Sequence, residues 1–307
     1  MRSYLTILLL IITVNVFSQH LSSASFLAEN NLPSGSLRLG KTNLFNQIYI
    51  EAGVKASSLS DSIGNLNYFQ VGLQHQLTKK LSVFHAYNNL IQGVYWGTIE
   101  QQSYYANFEY KASKSVKLNI VGSYLYNKTK QFPVPFVSDL KYYTNHNYFA
   151  LASATFNIKH FFYKPMLAFS QLNNLSEKNY QYQLGGDLFF DLKNNESYVF
   201  GLGMYHLNNN NNLSTIIKPY ASFLVNDDLL ISVDYLYASA KNFSDQDGYL
   251  IYNSVDKTID RTSLTAKYEF LNNAFLFAIY QFERKQDYIF NFNYHFNSIF
   301  LGIKYNL

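Results

Sequence analysis

The stretch Ser298-Ile299-Phe300-Leu301-Gly302-Ile303-Lys304-Tyr305-Asn306-Leu307 runs to the last residue of the chain. Ile299, Leu301, Ile303, Tyr305 and Leu307 share one face of an extended backbone. Phe300, Gly302, Lys304 and Asn306 share the other. That is period-2 alternation, the mark of a half-buried strand. Most domains end in a polar, frayed tail. Here the alternation continues through the terminal side chain.

The same pattern recurs upstream. Ile48, Ile50, Ala52 and Val54 oppose Gln47, Tyr49, Glu51, Gly53 and Lys55. Val116, Leu118, Ile120, Gly122, Tyr124 and Tyr126 oppose Lys117, Asn119, Val121, Ser123, Leu125 and Asn127. Arg261, Ser263, Thr265, Lys267 and Glu269 oppose Leu264, Ala266, Tyr268 and Phe270. Fourteen such segments can be counted between residues 46 and 307, with twelve or sixteen as the alternatives. Tight turns at Thr78-Lys79-Lys80, Ala112–Ser115, Lys159-His160, Lys193–Glu196, Asn226–Asp228 and Asn272-Asn273 alternate with connections near 92–98, 129–143, 173–178, 209–213 and 243–257. Short turns at one end and longer loops at the other are expected of a membrane barrel, with the loops outside the cell. Asp287–Asn297 reads as a long hairpin tip or an extra strand.

Composition agrees. Charged residues make up 14% and aromatic residues 18% of the 307 residues, with 28 Tyr and 26 Phe against one Trp. An average soluble chain carries about 25% charged residues. Aromatics suit strands and membrane–water boundaries. Beyond the first residues no apolar run reaches the ~20 needed for a spanning helix. Cysteine is absent, which excludes disulfides, thiolate-bound metals and lipid attachment through an N-terminal Cys. A net charge of +4 is too weak to point to nucleic acid.

Arg2, the apolar run Leu5–Val16 and the Val16-Phe17-Ser18 junction read as a cleaved signal peptide over residues 1–18. Residues 19–45 carry turn residues and no period. They read as a periplasmic lead-in or a short plug.

These features resemble a bacterial outer-membrane β-barrel, whose C-terminal strand pairs with the first and closes the cylinder. Phe usually ends such chains; here Leu307 does, with Tyr305 two positions before it. The Asn-, Lys- and Tyr-rich composition and the Ser-Gln junction resemble proteins of the Bacteroidetes. The fatty-acid transporter family also has fourteen strands, but carries an Asn-Pro-Ala motif near its N-terminus. The barrel subunit of the type IX secretion and gliding machinery has a similar Asn-Pro-Ala-Tyr signature. Neither motif occurs here.

The expected fold is therefore an all-β, closed, antiparallel, up-and-down transmembrane barrel over residues 46–307. A closed sheet of about fourteen strands is too wide for its own side chains to fill, so its interior is expected to be wet and its exterior apolar. Lys55, Glu109, Lys111, Lys117, Asp187, Asp191, Arg261, Lys267, Glu269 and Lys304 then point into the lumen. Either they line a polar pore, or they form cross-strand ion pairs that stiffen the wall. Pro165 and Pro219 follow Lys164 and Lys218 in similar settings, each before an apolar run. Each removes a ladder donor and is expected at a bulge or a strand start.

No catalytic motif surrounds any Ser, His or Asp, and the seven His are scattered. His75, His85 and His206 fall on apolar faces near strand ends, as boundary residues. Asp245, Asp247 and Asp256 read as a solvated acidic loop rather than a cation site. The sequence implies a non-enzymatic protein with no cofactor and no metal. The resemblance implies residence in the outer membrane of a Gram-negative bacterium, and the polar inner face implies a porin-like channel for small polar solutes. The alternative is a structural barrel subunit of a larger secretion or assembly complex, its lumen plugged. The expected partners are outer-membrane lipid, the barrel-assembly machinery during insertion and, on the alternative, other envelope proteins.

Overall fold

The computed structural model describes residues 47–57, 63–94, 97–131, 141–158, 160–174, 177–191, 198–209, 212–226, 228–241, 243–245, 250–252, 256–271, 274–287 and 291–306. The expected signal peptide and the lead-in or plug lie outside these residues.

Fourteen antiparallel strands close into one barrel. In chain order they begin with β1 (Gln47–Ser57), β2 (Ile63–Gln76), β3 (Leu81–Val94), β4 (Gly97–Lys111), β5 (Val116–Gln131) and β6 (Lys141–Ile158). Next come β7 (Phe161–Asn174), β8 (Glu177–Asp191), β9 (Tyr198–Asn209), β10 (Asn212–Asn226) and β11 (Leu229–Ala240). A small hairpin, β12 (Phe243–Asp245) and β13 (Leu250–Tyr252), stands apart from the wall. The wall resumes with β14 (Lys257–Leu271), β15 (Ala274–Gln286) and β16 (Asn293–Asn306). Closure is made by β1 against β16, in register from Gln47↔Asn306 to Ser57↔Phe296. The C-terminal alternation is thus the seam of the cylinder. A closed cylinder pairs every wall strand on both sides, as lipid requires.

The alternation resolves into two faces. Ile120, Leu184, Ile299 and Leu301 are more than 60% exposed, while their neighbours Val121, Gln183 and Ser298 are buried. The outward aliphatic residues form a belt. Near the short-turn end it is flanked by Phe161–Phe190 and Phe200–Phe223 ring contacts, with centroids 4.6 and 5.8 Å apart. Towards the other end lie Phe169–Tyr182 and Tyr124–Tyr148, at 5.2 and 5.5 Å. An apolar band between aromatic girdles is the exterior of a transmembrane barrel.

Inward, aromatic rings lie over glycines of the adjacent strand: Phe84 over Gly72, Phe189 over Gly201 and Phe277 over Gly302. A Cβ at Gly72 would meet the Phe84 ring at 2.7 Å. Glycine is needed at these positions so that the ring can lie flat on the wall.

Several expectations are corrected. The connections expected near 92–98, 173–178 and 209–213 shrink to two residues each, because β3 and β4, β7 and β8, and β9 and β10 extend further than their apolar pattern. The pattern records contact with lipid, whereas the hydrogen-bond ladder continues beyond it among Asn, Gln and Glu. Residues 293–297 are neither a tip nor an extra strand; they lengthen β16, which pairs with β15 from Gln286↔Asn293. Neither Pro165 nor Pro219 sits at a bulge or a strand start. β7 keeps one register with β6 on both sides of Pro165, and pairing lapses only at Lys164 and Pro165. β10 does the same against β11 at Lys218 and Pro219. In each case the other neighbour stays fully paired. A missing N–H silences one side of a strand without displacing it.

The connection over 243–257 was expected outside, as a solvated loop. Its β12–β13 hairpin instead enters the barrel.

Candidate functional site: a latched lumen

The lumen has two unlike sides. From β3 to β11 the inward residues include Phe84, Tyr105, Val121, Phe149, Met166, Ile216 and Leu236, which form one buried apolar cluster. From β11 through β14 and β15 they include the buried Asp234, Arg261, Ser263, Gln281, Glu283 and Lys285, with a small separate apolar patch of Phe277 and Ile279 nearer the short-turn end of β15. The expected open water column is corrected by this burial. Inward side chains as polar as Gln70 and Arg261 are 0% exposed. At Arg261 the hairpin's Asp245 is one of the groups that cover it.

Phe243 of β12 joins the apolar cluster. Ser244 is held by the Gln183 amide of β8. The Gln183 Nε2 donates to the Ser244 carbonyl at 3.0 Å, and the Ser244 N–H and hydroxyl donate to Gln183 Oε1 at 3.2 and 3.1 Å. Asp245 is gripped at both oxygens. Lys218 Nζ donates to Oδ1 at 2.8 Å, and Arg261 Nη2 donates to Oδ2 at 2.8 Å. The same Arg261 nitrogen reaches Asp234 at 2.9 Å, and Ser263 donates to Asp234 at 3.4 Å. Two cations therefore face two carboxylates in a site shielded from water.

Burial by itself would raise the Asp245 carboxyl. The adjacent Lys218 and Arg261 charges and their hydrogen bonds outweigh that and hold it at about 2. Asp245 is thus ionised and paired, not part of a solvated acidic loop. Asp247 lies outside the described residues, and Asp256 accepts a bond from the Tyr294 hydroxyl at 2.6 Å.

Of the ten residues expected in the lumen, Arg261 lies at this centre. The others are spread. Glu109 and Lys117 pair at 3.5 Å near the short-turn end, with Lys111 opposite Lys117 in the register. Asp187 stands opposite Lys164 and accepts a hydrogen bond from Tyr205. Asp191 is buried at the end of β8. Lys267 sits over the Phe275 ring, 4.4 Å from its centroid, while Glu269 and Lys304 flank Phe275 in the register. Lys55 occupies a position opposite Ser298; its side chain lies outside the described residues.

Sequence reasoning missed Lys218 and Asp234 as lumen residues, placed Gln183 on the face of Asp187 and Asp191 without a role, and read Asp245 as solvated. Counting parity along β10 and β11 reaches the first two, since each alternates with outward Ile217, Val233 and Tyr235. No sequence signal marks Asp245, because its burial depends on where a loop folds.

The histidines take other roles. His85 and His146 pair with the Tyr104 and Tyr124 hydroxyls at 2.6 Å, both on the outer face. His206 meets the Thr215 hydroxyl, and His160 the Asp191 carbonyl.

By sequence, no family model and no curated protein matches the chain. Solved structures of similar shape do. The CymD monoaromatic hydrocarbon channel superposes with a TM-score of 0.61 at 5% identity, over 87% of this chain and 89% of that one. The P. putida toluene transporter TodX gives 0.58 at 10%, over 94% and 95%. A Pseudomonas aeruginosa FadL homologue gives 0.53 at 8%, over 85% and 90%. The shared feature is the fold: this chain is an outer-membrane-type β-barrel.

Proposed function

We propose that the chain is a non-enzymatic outer-membrane channel for small amphipathic solutes, with a polar group on one side and an apolar body on the other. The two-sided lumen carries this reading. A porin for fully polar solutes would have little use for an inner wall of Phe84, Val121, Phe149, Met166 and Leu236. A purely hydrophobic conduit would not gather the buried Arg261, Asp234 and Asp245 with the half-buried Lys218, since buried charges are costly unless function or pairing retains them. The neighbours named for toluene and monoaromatic hydrocarbons add support for an apolar component. The test is flux into proteoliposomes of three solutes of similar size: benzoate, benzene and a pentose. Faster uptake of benzoate than of the other two is expected. Uptake of the pentose alone would restore the polar porin, and no flux of any would reject the channel.

The second reading, a structural barrel subunit, draws on the burial of the inward side chains. Stoichiometric envelope partners co-purifying in mild detergent, together with absent flux, would favour it.

A further inference from the structure

We infer that Lys218 and Arg261 form a carboxylate-binding site in the lumen, which Asp245 occupies in cis as a latch and which an anionic solute takes when β12 withdraws. The inference rests on the channel reading and names the chemical group that the channel recognises.

The geometry is that of a bound ligand rather than of a wall. Each Asp245 oxygen has its own cation, at 2.8 Å. All the other groups in the cluster, Gln183, Lys218, Asp234 and Arg261, belong to wall strands and cannot leave. Asp245 alone sits on a hairpin outside the wall ladder. Its removal changes the local balance: Lys218 and Arg261 each lose the carboxylate oxygen they hold at 2.8 Å, while Asp234 and, opposite Arg261 in the ladder, Glu283 remain. Asp187, whose field also reaches Lys218, already stands opposite Lys164. The emptied site is thus one charge more positive than the occupied one, with two cations left short of the carboxylate they shared, which favours an anion in its place. Ile216 and Leu236 of the wall lie in the adjoining apolar cluster, which Phe243 joins while the latch is closed, so an anion with an apolar body fits best. The break in the β10–β11 ladder at Lys218 and Pro219 leaves the wall locally less tied beside the site.

The chain has no Cys, so Ser244→Cys supplies a single thiol within the latch. The full-length variant, folded in proteoliposomes, is labelled with a membrane-impermeant maleimide. Asp245→Asn in that background is expected to raise the labelling rate about tenfold, the loss of roughly one charge-assisted hydrogen bond. Benzoate is expected to raise labelling of the Asp245 form in a saturable way, and benzyl alcohol to leave it unchanged. Lys218→Met should abolish the benzoate effect and Lys218→Arg should keep it. Independently of any thiol, Asp245→Asn channels in planar bilayers should prefer chloride to potassium. Equal labelling with and without Asp245, equal effects of benzoate and benzyl alcohol, or Asp245→Asn channels without anion preference would each overturn the site. Benzoate-dependent labelling with no conductance would keep the site and remove the channel. Conductance with flat labelling and no anion preference would do the reverse.

Discussion

The chain builds the same local device twice, and the two copies differ in one respect. Lys164-Pro165 in β7 and Lys218-Pro219 in β10 each place an inward lysine before a proline that silences one ladder for two positions without a change of register. Lys164 stands opposite Asp187 of β8, a carboxylate fixed in the wall. Lys218 meets Asp245, a carboxylate on a hairpin that is not part of the wall. A fixed partner makes a lysine part of the scaffold. A partner on a loop makes it a place where something can be exchanged. The contrast teaches that a buried lysine's role here is set by what its counter-charge is attached to, not by its own strand.

The sharpest way to break the comparison is to remove each carboxylate in turn. Asp187→Ala removes the buried carboxylate that stands opposite the buried Lys164 and accepts from the Tyr205 hydroxyl. A loss of about 3–5 kcal/mol is expected, because truncating one partner strands a buried charge. It is read as a lower unfolding midpoint on urea titration of the heat-modifiable band. Asp245→Ala should cost the barrel far less, about 1 kcal/mol or below, since the hairpin can leave and water can reach Lys218. Comparable losses for both would mean that the hairpin is scaffold too.

Next comes the proline itself. Pro165→Ala and Pro219→Ala each restore a donor to a ladder that is already in register on both sides of the gap. Each is expected to add about 0.5–1.5 kcal/mol, the net worth of one hydrogen bond. Slower amide exchange at Met166 and Tyr220 would show that the gap has closed. At Pro219 the tighter ladder should also slow thiol labelling of the Ser244→Cys latch, whereas Pro165→Ala should not affect it.

The smallest effect is in pH. Asp245 is held at about 2, below the unfolded value of about 3.9. A carboxyl depressed on folding contributes fully above its unfolded value and loses that contribution as pH falls through the folded one. The flanking Lys218, Arg261 and Asp234 are the charges that face it. Latch opening, read as the labelling rate relative to the Asp245→Asn background at the same pH so that the thiol's own titration cancels, should therefore be flat between pH 8 and about pH 5 and should rise as pH falls from about 4 towards about 2. A transition near pH 6 would assign control of the latch to a histidine instead.

Much of the wall was legible from residue order. Ile299, Leu301 and Lys304 showed which face met lipid, because a strand between lipid and lumen must alternate with period 2. The parity of Arg261, Ser263, Thr265, Lys267 and Glu269 placed a polar stripe on the other face. Strand ends were less legible. Val94, Gly97, Asn174 and Asn209 extend the ladder where no lipid enforces a pattern, so polar residues there resembled loops. The same blindness affected the acidic connection. Asp245 looked like a solvated residue because composition reports polarity but not position.

The sequence by itself determined the kind of wall: alternating strands closed through the C-terminal one, counted as fourteen with twelve or sixteen left open, follow from an alternation that one-dimensional order carries. Only the tertiary structure decided what fills the barrel. Whether Phe243, Ser244 and Asp245 face water or enter the lumen depends on Gln183, Lys218 and Arg261, which come from three strands separated along the chain and converge only once the barrel has closed. Attraction between charges depends on distance in space, and no local pattern encodes that distance.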